Sequence, residues 1–224
     1  MKQKRKTIVK RIVDGFMTVL LLLLMAYQVT GETLHEWFGI GMTLLLILHH
    51  GLNVRWYSSL FRGKYNAFRI AVTVVNTLLL AAIALTAVCG MAMSAHAVPF
   101  LYGFLPVVFA RQAHLAFSFW SFLLMGLHLG LHLPAMTAGL NPGGKIKIAA
   151  AAVSAAVAGC GLWFFVKNGI PRYLFFRAHF AFFDEAKSAG AMFAENAAIL
   201  FAFVFLGAAF ASFLAKARRR KQQS

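Results

Sequence analysis

Four of the chain's eight histidines fall into two pairs with the same interval. His35 and His49 stand fourteen positions apart, and so do His114 and His128. Eight histidines scattered at random over 224 residues give about a quarter of one pair at any chosen separation. A neutral imidazole is a metal ligand. On an α-helix, fourteen residues advance about 21 Å and return to within roughly 40° of the starting direction. Each pair therefore shows two imidazoles on one helix face, near the two edges of a bilayer core about 30 Å thick. Two such helices side by side offer two ligand pairs at two depths. That arrangement suits two haems stacked across a membrane, each iron held by one histidine from each helix. Zinc is the rival metal, but its ligands must converge within about 2 Å of one point. Histidines 14 residues apart on one helix cannot do so.

Other residues extend the pattern. Arg111, one turn before His114, is placed for a haem propionate. His132 lies eighteen residues after His114, a whole number of turns, so it rivals His128 as a ligand. The interval shared with the other helix favours His128. Asn53 holds the matching place on that helix, and with His132 it could flank a polar pocket for a quinone headgroup. His50 is turned about 100° from His49 and reads as a packing or lipid-facing residue. His96 and His179 read as solvated surface residues. Gly39, Ser118 and Ser121, on the histidine faces, leave room for a macrocycle and equally suit bare helix packing. Thr33 and Glu36 have the spacing of a capping box, with proton transfer by Glu36 as the alternative.

The elements that must position these groups are membrane helices. The chain is 61% hydrophobic and 12% charged, with mean hydropathy +0.74. Six apolar runs, at about 12–29, 33–53, 70–95, 111–133, 148–166 and 191–215, predict six transmembrane helices. The fold class is an all-α integral membrane protein forming one membrane domain, 1–224. Its region 12–133 is a four-helix di-haem core, and 146–215 adds two further spans around a segment, 167–190, expected in the membrane surface. The basic head and leucine run fit an uncleaved first helix, since no Ala-x-Ala-like site follows. Asp14 is expected near the headgroups. Asn76 and Thr77 are expected to hydrogen-bond a neighbouring helix. The segment 98–108, interrupted by two prolines and a glycine, is too short to span.

Net charge +16 does not imply nucleic-acid binding, because the bases flank the apolar runs. Seventeen of the 22 bases lie in the head, the 55–69 loop, Lys145, Lys147 and the tail. The other five are Arg111, Lys167, Arg172, Arg177 and Lys187. This asymmetry places both termini in the cytoplasm. Both histidine helices then run inward, with His35 and His114 at the outer level and His49 and His128 at the inner level. Cys89 and Cys160 read as small core residues. Neither belongs to a Cys-x-x-Cys-His stretch, which excludes covalent c-type haem, and two cysteines exclude four-cysteine iron–sulfur ligation.

The stretches His35-Glu36-Trp37-Phe38-Gly39, His49-His50-Gly51-Leu52-Asn53 and His128-Leu129-Gly130-Leu131-His132, with His114, resemble the bacterial flavinylation-associated cytochromes b. Tyr173-Leu174-Phe175-Phe176, His179-Phe180 and Phe183-Asp184 resemble a segment of some members. Cytochrome b subunits of formate dehydrogenases and hydrogenases are more distantly similar. The resemblance implies two haems b in a bacterial cytoplasmic membrane. It also implies electron transfer from a quinol or dehydrogenase to an extracytoplasmic protein carrying covalent FMN. The chain has no flavin-attachment sequence, so any FMN would belong to that flavoprotein partner. Two other classes stay open on the residues alone: a transporter or proton pathway using the histidines, and a structural membrane anchor.

Overall fold

The computed structural model describes residues 2–137, 139, 143–178, 180–181, 184 and 186–223. His179, read above as a surface residue, and Phe183, part of one resembling stretch, lie outside the described residues. Among the described residues eight α-helices follow one another: α1 Lys2–Met25, α2 Tyr27–Leu52, α3 Arg55–Leu60, α4 Ala67–Met91, α5 Val107–Met136, α6 Gly144–Lys167, α7 Ile170–Leu174 and α8 Ala189–Gln223. A 3-10 turn, Pro99–Leu101, opens the stretch between α4 and α5. No strand occurs among the described residues.

Four helices, α4, α5, α6 and α8, are long and apolar enough to cross a bilayer. The chain therefore has the character of a multi-pass membrane protein. The charges of α1 end at Asp14, just past its midpoint, leaving a short apolar remainder. In α2, Glu32, His35, Glu36, His49 and His50 interrupt the apolar sequence. Of these, His35 and His49 are the two that the histidine pattern uses. Asn66 starts α4 by accepting the Arg69 backbone N–H at 2.9 Å, an ordinary N-cap.

Helix α5 is the most buried element and packs between α4 and α8. Its Gly126 and Gly130 lie against Phe203 and Val204 of α8, while Gly207 of α8 lies against Leu127. A Cβ at Gly130 would collide with the Val204 carbonyl, so only glycine permits this approach. Gly161 of α6 meets Ala198 of α8 in the same way. Where α4 ends and α5 begins, Cys89, Ala92, Ala110 and Ala113 close a second seam of small residues. The helices α4, α5, α8 and α6 thus form a continuous glycine-lined and alanine-lined scaffold.

Helices α1 and α2 form an antiparallel hairpin that leans on this scaffold along α1–α8 and α2–α4. Val13, Met17 and Leu21 of α1 join the main apolar core with Met42 of α2. By contrast, α2 does not pack closely on α5, although their histidines meet. A flat group between facing imidazoles requires helix backbones held apart in this way.

Four expectations are corrected. No Thr33–Glu36 box caps the second helix. Tyr27–Leu52 breaks at Gly31, whose φ of 69° only glycine adopts freely, so a short helical piece precedes the expected start near Thr33. Segment 167–190 is not one surface helix. Between α6 and α8 the helix among the described residues is Ile170–Leu174, and Ile170, Tyr173 and Leu174 are buried. The Trp120 indole N–H donates to the Leu174 carbonyl at 3.0 Å, and Tyr173 stacks on Phe119 at 4.6 Å, so the segment folds onto α5. The fourth apolar run, expected to end at about 133, continues as helix to Met136, with Pro134 in its last turn. Cys89 is buried as expected, but Cys160 is exposed on the outward face of α6.

Candidate functional site

The rings of His35 on α2 and His114 on α5 face each other with centroids 5.9 Å apart and planes at 72°. A metal–imidazole bond is about 2 Å, so two rings on opposite sides of one metal have centroids about 6 Å apart. The pair thus already has the separation that a shared axial metal requires. The His114 Nδ1–H donates to the Thr86 carbonyl of α4 at 2.9 Å. The approach is possible because Gly90, four residues on, has no side chain. A Cβ there would stand 3.1 Å from His114 Cε1 and 3.2 Å from Nδ1. Tyr27 sets its ring edge-on to His35 at 5.0 Å. Arg111 lies within electrostatic reach of Tyr27 and holds its guanidinium 5.6 Å from the Phe180 ring. It therefore stands at this level of the bundle.

At the other level, His49 of α2 donates its Nδ1–H to Asp14 Oδ1 of α1 at 2.8 Å. His128 of α5 donates its Nδ1–H to Asn76 Oδ1 of α4 at 2.8 Å. Asn76 thus bonds a neighbouring helix, as expected from its place in an apolar run. His128 lies within electrostatic reach of His49, His132, His50 and Asp14, so both pairs of histidines are in register.

An acceptor oxygen can take only an N–H, which fixes the tautomer of three rings. His49, His114 and His128 each keep Nε2 for a ligand while Nδ1 is held by a partner. Metal-ligating histidines are oriented in this way. His35 differs, since its Nδ1 is buried without a hydrogen-bond partner. Ser121 Oγ on α5 is likewise buried without one, and a Cβ at Gly39 would meet open space. The separation of His35 from His114, the oriented tautomers and the room beside Gly39 fit a flat cofactor with two axial positions at the His35–His114 level.

The remaining candidates separate. His132 lies 4.8 Å from the His128 ring, at the wall of a cavity of about 260 Å³. Trp56, Phe68, Arg69, Val72 and Thr73 line it too. Asn53 is not brought to this wall. Its Oδ1 accepts from Lys10 Nζ at 2.8 Å and its Nδ2 donates to the His49 carbonyl at 2.9 Å, so it closes α2 onto α1. His50 turns to Tyr57, whose hydroxyl is 2.7 Å from His50 Nδ1. His96 is exposed, as expected.

Glu36 does not cap its own helix. Its carboxylate accepts from Ser94 Oγ at 2.7 Å, from Ala95 N–H at 2.9 Å and from His96 and Ala97 N–H at 2.8 Å each. It clasps the end of α4 to the residue beside His35. Glu32, Glu36 and His96 bring one potential ligand atom each within 4.8 Å, but these four bonds already occupy Glu36.

Asp14, Thr86 and Gly90 were missed by sequence reading. Asp14 carried one signal, as an acid inside an otherwise apolar run. Thr86 acts through a backbone carbonyl, which no sequence pattern marks. Compared with family models, curated proteins and solved structures, the chain matches none.

Proposed function

We propose that the chain is a membrane di-haem cytochrome b that carries electrons across the bilayer, from a quinol or dehydrogenase at the His49–His128 level to an acceptor at the His35–His114 level. The observation that carries this reading is the common state of the histidines. Three of them hold Nδ1 on an oxygen and leave Nε2 for ligation, and the fourth faces one of these across 5.9 Å. Haem b, when bound, supplies one-electron oxidation and reduction of iron. His35 and His114 would hold one haem, and His49 and His128 the other. Arg111 would pair with a propionate of the first.

The charge asymmetry supports a six-span arrangement in a bacterial cytoplasmic membrane with both termini inside. In that arrangement the His132 cavity opens on the inner side, where Arg69 and Thr73 could hold a quinone oxygen. His132 would accept one of the two protons released as a quinol is oxidised. On the outer side, the acceptor would be a protein carrying FMN, and the segment from α7 to Lys187 would meet it.

The test begins with the absorption spectrum of the purified protein. A Soret band, sharp reduced α-bands and about two haems per chain by pyridine haemochromogen assay are expected. His35→Ala or His114→Ala removes one haem, and His49→Ala or His128→Ala removes the other. His132→Ala keeps both haems and slows reduction by added quinol in liposomes. A colourless preparation from cells with normal haem supply would sink the reading, leaving a proton pathway or an anchor. Loss of a haem in His132→Ala but not in His128→Ala would exchange those two assignments.

A further inference from the structure

The oxygens behind the oriented imidazoles are not equivalent. Thr86 offers a backbone carbonyl to His114 and Asn76 offers an amide oxygen to His128, and both are neutral. Asp14 offers His49 a carboxylate at 2.8 Å. It is the single acid of α1, a helix that carries no histidine. Lys10 stands one turn before it, at a spacing that ordinarily makes a surface ion pair. Here Lys10 turns to Asn53 instead, and among the described residues the ion-pair partner of Asp14 is His49. The side chains are 43% and 23% exposed, so the contact is only partly screened by water. Buried Val13 and Met17 hold this face of α1 toward α2.

We propose that Asp14 is a positioning residue that lowers the reduction potential of the His49–His128 centre and so biases the electron toward His35–His114. The inference rests on the di-haem reading and goes beyond it by assigning an energetic direction. A carboxylate bonded to Nδ1–H makes the imidazole a stronger donor and places a negative charge close to the metal position. Both effects favour the oxidised state over the reduced state. The other level is about 21 Å away along the helix and feels the charge weakly. The electron transfer makes and breaks no bond in the chain. Asp14 keeps its charge and His49 keeps its Nδ1 proton throughout.

The experiment is a spectroelectrochemical titration of the full-length haem-loaded protein, with haem content measured in parallel. Asp14→Asn keeps an acceptor oxygen and removes the charge. At fixed potential near the midpoint, its oxidised-to-reduced ratio at one centre is expected to fall about tenfold, an upward shift of about 59 mV for a one-electron couple. The second centre is expected not to move, and Asp14→Glu is expected to restore the low value. His114→Ala, which retains only the His49–His128 centre, identifies the shifted signal. Unchanged midpoints in Asp14→Asn would overturn the proposal. So would loss of that haem in Asp14→Asn with normal loading in Asp14→Glu, which would leave Asp14 an orienting role only. A wild-type chain that binds no haem overturns the di-haem reading itself, and this inference with it.

Discussion

Gly90→Ala tests the His35–His114 level without touching either ligand. The added Cβ would stand 3.1 Å from His114 Cε1 and 3.2 Å from Nδ1. Ordinary contact between such atoms is about 3.5–4.0 Å, so the ring must retreat by about 0.5 Å. Retreat carries Nδ1 away from α4 and stretches its 2.9 Å bond to Thr86 toward about 3.4 Å, beyond the usual range. That removes about 1 kcal/mol of hydrogen bonding and frees the ring to turn. The helix itself gains about 1 kcal/mol from alanine in place of glycine, so global stability is expected to stay level. The effect concentrates on the site. Weakening the partner of a metal-ligating histidine costs about 10–100-fold in affinity. Haem titration should therefore show one centre loading normally and the other 10–100-fold weaker, with an unchanged melting temperature. Gly39→Ala is the control, since its Cβ meets nothing within 4 Å and gives the same helical benefit. Two haems of unchanged affinity in Gly90→Ala would refute the reasoning.

Two further substitutions probe the clasps around the site. Glu36→Ala leaves Ser94 Oγ and three backbone N–H groups without their acceptor. A loss of about 1–3 kcal/mol is expected, read as a lower melting temperature in detergent, and on the proposed reading the His35–His114 level would lose its haem first. Glu36→Gln should recover part of it, because one amide oxygen remains. Lys187→Ala removes the cation 2.6 Å from Glu195, whose side chain is only 11% exposed and also accepts from Asn168 at 2.8 Å. Breaking a buried pair costs about 3–5 kcal/mol, and Glu195→Gln on the Lys187→Ala background should return part of it by removing the stranded charge. Equal melting temperatures for Lys187→Ala and wild type would reduce the pair to a surface contact.

The sequence made the long elements and the ligand faces legible because both depend on fixed helical periodicity. The interval from His35 to His49 sets their common face whatever the rest of the chain does, and the same holds for His114 and His128. Asn76 was legible as a polar group that needs a partner in an apolar run. What supports these residues was less legible, because it depends on contacts between distant segments. Glu36 has its partners about sixty residues away, around the end of α4, while its spacing to Thr33 fits a local cap equally well. The aromatics from Tyr173 to Phe180 have a composition that suits a membrane surface, but Tyr173 and Leu174 are spent on α5. Cys160 misled for a simpler reason: an apolar run does not say which of its faces turns outward.

The four histidines are held by two units of unequal firmness. His114 and His128 stand on α5, which the glycine contacts lock to α8 and whose ring tautomers are set by α4. This half of the site is complete within one scaffold. His35 and His49 stand on α2, whose close partner is α1 and which leaves α5 at a distance. That hairpin is tied down by the Glu36 clasp near one level and by Asp14 and the Lys10–Asn53 bond at the other. A flat ligand with two axial bonds would complete the join, since each metal would bridge the firm half to the looser one. The buried Nδ1 of His35 has no hydrogen-bond partner, so a metal bound to this ring would give it an anchor that Nδ1 lacks. The same separation of α2 from α5 that weakens direct packing would make room for such a ligand.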